Sequence, residues 1–304
     1  MDVKTNSIQT WILASRPKTL TGALIPVILA GALAWQDGVI RWDLLLCCAL
    51  FACLMQVAAN MINDLYDYLK GSDRADRLGP ERACSQGWIT PRAMRWGIGI
   101  MVGVACIIGL VAVALNYEML PWHGWEFVLL GALCVVFAFL YTTCLSYLGL
   151  GDVLVLVFFG LVPVCGTYFL MAQSITWPLI LLGLISGVSI DALLVINNYR
   201  DRDQDRISGK RTLVVLLGEP FGRYHYLAIG IICLALCYVL GVAIGKRFII
   251  TNTALWYMIL HYRTWREMCE IREGRALNKI LGATSFNMLY FALFLAFAII
   301  LGLD

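Results

Sequence analysis

The sequence predicts an all-α integral membrane protein with nine transmembrane helices. Two observations carry that expectation. Of the 304 residues, 61% are hydrophobic and only 14% charged, against roughly 25% charged in a soluble domain. The apolar residues also fall in runs near the roughly 20 residues that a helix needs to cross a bilayer, instead of the short alternating strands of a barrel. A soluble chain this apolar would expose large sticky patches, so that class is set aside.

Met1 to Gln9 is polar, which predicts no cleavable signal peptide at this end. Ile8 to Ser15 is short and partly apolar, as in a helix lying in the interface. Arg16-Pro17-Lys18-Thr19-Leu20 leads into a first span over 20–36. Further spans are expected at 43–62, 94–115, 125–143, 150–171, 175–197, 224–244, 248–262 and 282–302. Polar loops over about 63–91 and after 197 separate the second span from the third and the sixth from the seventh. One domain covers 1–304. The eleven cysteines lie in apolar segments with no C-x-x-C pair and read as small buried hydrophobes.

Loop charge sets the orientation. Of the 23 lysines and arginines, only Arg41, Lys246 and Arg247 fall on the side opposite the N-terminus. The others cluster before span one and after spans two, six and eight. By the positive-inside tendency, the N-terminus and both long polar loops face the cytoplasm of a cell's inner membrane.

The first of those loops opens with Asn63-Asp64-Leu65-Tyr66-Asp67-Tyr68-Leu69-Lys70-Gly71-Ser72-Asp73. Asn63 and Asp67 are four apart and share a helical face. Gly71 suits a left-handed helix end, after which Asp73 folds back over it. The second loop answers with Asn197-Asn198-Tyr199-Arg200-Asp201-Arg202-Asp203-Gln204-Asp205, followed by Gly209-Lys210-Arg211. Asn197, Asp201 and Asp205 again share a face. Two matched Asn/Asp clusters at the same membrane surface read as halves of one site.

Asparagine and aspartate oxygens are hard ligands suited to Mg²⁺, which binds through a few carboxylates and substrate phosphates. Two facing carboxylate clusters repel unless cations stand between them. Lys70, Arg74, Lys210 and Arg211 supply grips for phosphate oxygens. The simplest ligand is a magnesium-bound diphosphate, and its place at a bilayer face implies a greasy remainder: a polyprenyl diphosphate. Departure of pyrophosphate leaves an allylic cation. Aromatic faces at the same ends, from Tyr66, Tyr68, Tyr141, Tyr147 and Tyr199, are the candidates to stabilise it.

These residues together resemble the UbiA superfamily of intramembrane prenyltransferases, and most closely its menaquinone branch. The matching pieces are Arg16-Pro17-Lys18-Thr19-Leu20, Asn63-x-x-x-Asp67-x-x-Lys70-Gly71-x-Asp73 and Arg77-x-Gly79-Pro80-x-Arg82. Gly149-x-Gly151-Asp152, Asn197-Asn198-x-x-Asp201-x-x-x-Asp205 and Gly209-Lys210-x-Thr212-Leu213 complete them. The resemblance implies nine helices around a central cavity, Mg²⁺, a polyprenyl diphosphate donor and decarboxylating transfer onto 1,4-dihydroxy-2-naphthoate. It implies metal ligation by Asn63, Asp67, Asp73, Asn197, Asp201 and Asp205, with Asp67, Asp201 and Tyr141 catalytic. Asn63, Asn197, Asn198, Lys70, Lys210 and Arg211 would hold substrate, and Arg16 and Lys18 would meet the acceptor's carboxylate. After Tyr141-Thr142 the branch has a Gly-Gly-Pro-like turn where this chain has Thr143-Cys144-Leu145-Ser146.

Plainer readings hold elsewhere. Asp64, Asp76 and Asp203 fit no pocket-facing period and read as solvated. His123, His225 and His261 share no ligand spacing and read as interfacial or structural. Asp191, inside the sixth span, is a functional candidate by default. No nucleic-acid partner is expected. A secondary transporter is the rival class, but transporter sites usually lie near the midplane on broken helices, whereas these carboxylates cluster at one surface. A prenyltransferase acting on another aromatic acceptor, such as 4-hydroxybenzoate, is the alternative within the family.

Overall fold

Residues 4–71 and 77–301 are described by a computed structural model. The expectations for Asp73, Arg74 and Asp76 lie outside the described residues. The described chain is helical. A short helix α1 (Ile8–Ser15) turns at Arg16 into α2 (Leu20–Gln36), and α3 (Trp42–Leu69), α4 (Pro91–Ala114) and α5 (Trp125–Thr143) follow. The next span is broken into α6 (Gly151–Leu156), a π-helical turn over Val157–Leu161, and α7 (Val162–Ala172). Then come α8 (Trp177–Ile207), the short α9 (Leu213–Leu217), α10 (Glu219–Ala243), α11 (Arg247–Ile271) and α12 (Leu277–Ile300).

Eight of these stretches are long and apolar enough to cross a membrane. The exception is the eighth expected span, α11, which has 25 residues, but its last turns carry Arg263, Arg266, Glu267 and Glu270, which dilute its apolar character. Helix starts follow capping chemistry. The hydroxyls of Ser7, Thr90, Thr176 and Thr212 accept backbone N–H groups at the starts of α1, α4, α8 and α9.

The helices that deliver the two motifs run further than their apolar windows. α3 has 28 residues and α8 has 31, so they are about 42 and 46 Å long at 1.5 Å per residue, against roughly 30 Å of hydrocarbon. Hydropathy ends near residues 62 and 197, but the backbone ladder continues through the charged turns. The motif residues are therefore presented from rigid helix instead of loop. Gly71 (φ +65°) and Gly209 (φ +77°) take the left-handed conformation just beyond.

α8 is the central strut, packed against α2, α6, α7, α10 and α12. Its close approach to the broken span rests on glycine. A Cβ at Gly160 would stand 2.5 Å from the Gly183 carbonyl oxygen, and one at Gly187 would stand 2.8 Å from the Leu156 Cα. The Ser186 hydroxyl donates to the Phe159 carbonyl at 2.8 Å, satisfying an oxygen within the π-turn. Behind this crossing, α2, α8, α10, α11 and α12 form the main core around Ile25, Leu29, Ile185, Tyr226 and Met288. A smaller core of Ala14, Met61, Leu65, Ala83 and Met94 ties α1, α3 and α4 to the loop before α4. All eleven cysteines are free. Only Cys84, Cys233 and Cys237 are buried; Cys106, which lines the cavity described below, and Cys144 are exposed and the other six are half-buried, so the reading of every cysteine as a buried hydrophobe is corrected.

Candidate active site

α3 brings Gln56, Asn60 and Asn63 to the wall of a cavity of about 690 Å³, and α8 brings Asn197 to the same space. The lining on α3 runs from Asn63 down to Cys47, about 24 Å of helix. Arg16, Thr19 and Tyr141 line it nearer the motif end; Ala112, Val113, Phe127 and Leu170 line it further away. It is a mostly apolar tube with a polar mouth.

At that mouth the two motifs meet. The Asp67 carboxylate, only 2% exposed, pairs with Arg82 Nη2 at 2.6 Å and lies 4.0 Å from Lys210 Nζ. Lys210 belongs to the second motif, so the two clusters share one space. Asp205 lies within electrostatic reach of Lys210, Asp201 and Asp67. Asp201 is gripped in a fork by Arg200, at 2.7 Å from Nε and 2.6 Å from Nη2. Lys70 donates to the Thr143 carbonyl at 2.8 Å and stands 4.2 Å over the Tyr147 ring. Lys210 lies 5.8 Å from the same ring.

The segment over residues 77–82 crosses this mouth. Arg82 Nη1 donates to the Asn63 carbonyl at 2.6 Å. A Cβ at Gly79 would stand 2.9 Å from Arg200 Nη2, so only glycine lets the segment lie this close without a shift. Arg200 Nη1 donates to Asn278 Oδ1 at 2.8 Å, and Asn278 donates to the Leu78 carbonyl at 2.9 Å.

Not every expected residue reaches the site. Lys18, Lys70 and Arg211 are exposed, and of the expected residues only Arg16, Asn63, Tyr141 and Asn197 line the cavity; Asp67, Asn198, Asp201, Asp205 and Lys210 lie outside its lining. Of the five tyrosines, Tyr141 alone lines the cavity. Tyr199 is turned into the core, donating to Glu219 Oε1 at 2.9 Å, because its position on α8 faces α10. Tyr66 sits edge-on to Phe139, and Tyr68 is exposed.

Asp64 is corrected outright. It is 1% exposed, and its two oxygens accept the backbone N–H groups of Ala83 and Cys84 at 2.8 and 2.9 Å. It faces away from the cavity because it serves the loop behind it. Asp203 is solvated as expected, with Arg206 3.7 Å away. His261 is structural, stacked on Tyr226 and bonded to its carbonyl. His225 faces Asp152 and Asp191.

The sequence reading passed over Gln56 and Asn60. Asn60 Nδ2 donates to the Ser15 carbonyl at 3.0 Å and to Thr19 Oγ1 at 2.8 Å. Gln56 donates to Asn60 Oδ1 at 3.3 Å. The signal was present, since 56, 60, 63 and 67 step by four, three and four along one helical face.

The donors brought together by both helices are oxygens of amides and carboxylates, with buried carboxylates already close to cations. That is the donor chemistry of a hard divalent ion bound with a phosphorylated substrate. The oxygen donors of Asn63, Asp67, Asn197, Asp201 and Asp205 are of the type Mg²⁺ takes, but here Asp67 is held by Arg82 and Asp201 by Arg200, and the three carboxylates do not gather into one ligand group.

The pattern common to the UbiA prenyltransferase family matches residues 23–273. A 1,4-dihydroxy-2-naphthoate octaprenyltransferase of Escherichia coli (strain K12) is 39% identical over 235 residues, 75% of this chain and 76% of that protein. One of Mycobacterium tuberculosis (strain ATCC 25618 / H37Rv) is 32% identical, covering 97% of this chain and 98% of that protein. A UbiA homolog from Archaeoglobus fulgidus, solved bound to DMAPP and Mg²⁺, superposes with a TM-score of 0.66 at 12% identity, over 97% of this chain and 100% of that one. The apo structure of a homolog from Aeropyrum pernix K1 gives 0.68 at 18% identity, over 90% and 96%. The last two show the fold.

Proposed function

The chain belongs to the UbiA prenyltransferase family, and on that premise we propose that it transfers a polyprenyl group from its diphosphate to 1,4-dihydroxy-2-naphthoate in menaquinone biosynthesis. The observation that carries this reading is the meeting of Asp67 with Lys210 one helical turn beyond Asn63, which lines a long apolar cavity. The mouth suits a diphosphate and the tube suits its isoprenoid tail. Relatives that carry out this transfer match most of the chain.

The side chains divide the work. Asn63, Asp67, Asn197, Asp201 and Asp205 would hold Mg²⁺ and, with it, the diphosphate; Asp73 joins them in the family pattern. Magnesium bound there supplies Lewis-acid stabilisation of the departing pyrophosphate. Lys70 and Lys210 add positive charge beside it, as point charges free to follow the moving oxygens. The donor's C–O bond breaks with its electron pair going to the diphosphate. A carbon–carbon bond forms between the allylic carbon and the naphthoate ring, and the carboxylate leaves as carbon dioxide, so no net proton is consumed. Tyr141 faces the cavity, where its ring steadies the allylic cation. The apolar walls keep out water that would otherwise capture that cation.

Arg16, Thr19, Gln56 and Asn60 form the polar patch below Asn63, and there the acceptor's hydroxyl and carboxylate groups dock. The clustering of Lys and Arg at this end supports its facing the cytoplasm, with the chain a multi-pass inner-membrane protein.

The test is direct. Purified protein in detergent is given one labelled polyprenyl diphosphate and a panel of aromatic acids, and the products are identified by mass. Decarboxylated, prenylated naphthalenediol is expected. Turnover of 4-hydroxybenzoate with none of the naphthoate would overturn the acceptor assignment.

A further inference from the structure

Asp152 on α6, Asp191 on α8 and His225 on α10 converge on one point inside the bundle. His225 Nδ1 lies 3.8 Å from Asp152 Oδ1, and Nε2 lies 3.6 Å from Asp191 Oδ2. One ligand atom from each residue falls within 4.8 Å of the other two. None of the three lines the main cavity. Asp191 is 7% exposed, and its Oδ1 has no hydrogen-bond partner; neither has His225 Nδ1.

Two carboxylates in an apolar bundle need positive charge nearby. Among the described residues, the only cationic group within ion-pair range of either is this one imidazole. The separations are too long for direct hydrogen bonds. They run from opposite nitrogens of the ring, and an ion takes only one of these; with one ligand atom from each residue the three lie within 4.8 Å of one another, so a small inward shift of the side chains brings them to the roughly 3.0–3.5 Å expected between neighbouring ligands on an ion bound at about 2.1 Å. A divalent ion would balance both carboxylates while the histidine stays neutral, and it would engage the orphaned Asp191 oxygen. An imidazole in the set favours a transition metal such as Zn²⁺ or Mn²⁺ over Mg²⁺.

We propose that Asp152, Asp191 and His225 form a second cation site, selective for a nitrogen-accepting divalent metal and separate from the Asn/Asp cluster at the cavity mouth. Its bound ion ties α6, α8 and α10 together beside Tyr141: a Cβ at Gly151, next to Asp152, would lie 4.0 Å from the Tyr141 oxygen. This site does not depend on the identity of the acceptor.

The experiment uses the full chain in detergent, stripped of metal and titrated with Mn²⁺, and reads histidine nitrogen coupling by pulsed electron paramagnetic resonance. The cavity-mouth cluster has only oxygen donors, so a nitrogen signal reports this site alone. The signal is expected in the wild-type protein and in the Asp67→Asn/Asp201→Asn double variant. It is expected to vanish in His225→Gln and in Asp191→Asn, with loss of roughly one bound equivalent. Size-exclusion profiles and melting curves confirm that each variant is folded, and Asp152→Asn provides a third, independent removal. Absence of nitrogen coupling in the folded wild-type protein, or coupling that survives His225→Gln, overturns the proposal. The first result would leave a bare imidazole–carboxylate network.

Discussion

Asp67 of α3 and Lys210 beyond α8 stand 4.0 Å apart, carboxylate to ammonium, although they come from distant parts of the chain. That closeness makes one chamber of two motifs, and the first expectations concern it.

Replacing Asp67 or Asp201 by asparagine is expected to lower turnover by about 10²–10³-fold or more, the order seen when a key electrostatic group is removed. Asp67→Ala carries an added penalty. It takes the carboxylate away from the buried Arg82 guanidinium, which keeps its bond to the Asn63 carbonyl, at a cost of about 3–5 kcal/mol. Comparing kcat with melting temperature for the two substitutions separates the effects: the asparagine variant should keep most of its stability. Wild-type rates in it would exclude Asp67 from the site.

Chelation should stop the reaction and added Mg²⁺ restore it, since the oxygen ligands cannot stabilise pyrophosphate alone. Pyrophosphate release, followed during EDTA treatment and magnesium re-addition, checks this. Undiminished release in chelator would remove the metal from the mechanism.

Asn60→Leu and Gln56→Leu should raise KM for the naphthoate about 5- to 150-fold while leaving KM for the donor within about twofold, because a lost polar contact is worth roughly 1–3 kcal/mol. Steady-state kinetics with each substrate varied in turn decides the matter. Equal damage to both constants would mean that this patch only shapes the helix.

Asp64→Ala should destabilise the protein by about 2–4 kcal/mol by orphaning two buried backbone N–H groups. Asp203→Ala, at a solvated position, should change stability by less than about 0.5 kcal/mol. Unfolding curves in one detergent compare them, and an equal effect would contradict the clamp.

At the helix crossing, Gly187→Ala would force a methyl to 2.8 Å from the Leu156 backbone. A loss of about 1–3 kcal/mol is expected, measured by the same unfolding assay. No change would show that α8 yields more readily than its packing implies.

Much of this was open to reading from residues alone. Hydropathy located the spans, and four-residue spacing put Asn63 with Asp67, and Asn197 with Asp201 and Asp205, on single helices, because both are local properties of a helix. What escaped depended on contacts across the chain. Asp64 looked idle on its own helix, yet its partners are backbone groups at 83 and 84. His225 has no ligand spacing in sequence because its companions stand on two other helices. Tyr199 sits among motif residues but points to the opposite side of α8. The helix ends were set short because a hydropathy window stops at the first charges, whereas hydrogen bonding does not.

The segment over residues 77–82 touches Asp67 through Arg82, Arg200 through Gly79, and Asn278 through the Leu78 carbonyl. It works as a tie-bar, so neither wall of the chamber can shift without dragging the other. Asn278, at the start of α12, thus acquires an influence that its distance from the cavity would not announce: trimming that one amide loosens the bar where it is anchored, and the two walls become free to move independently.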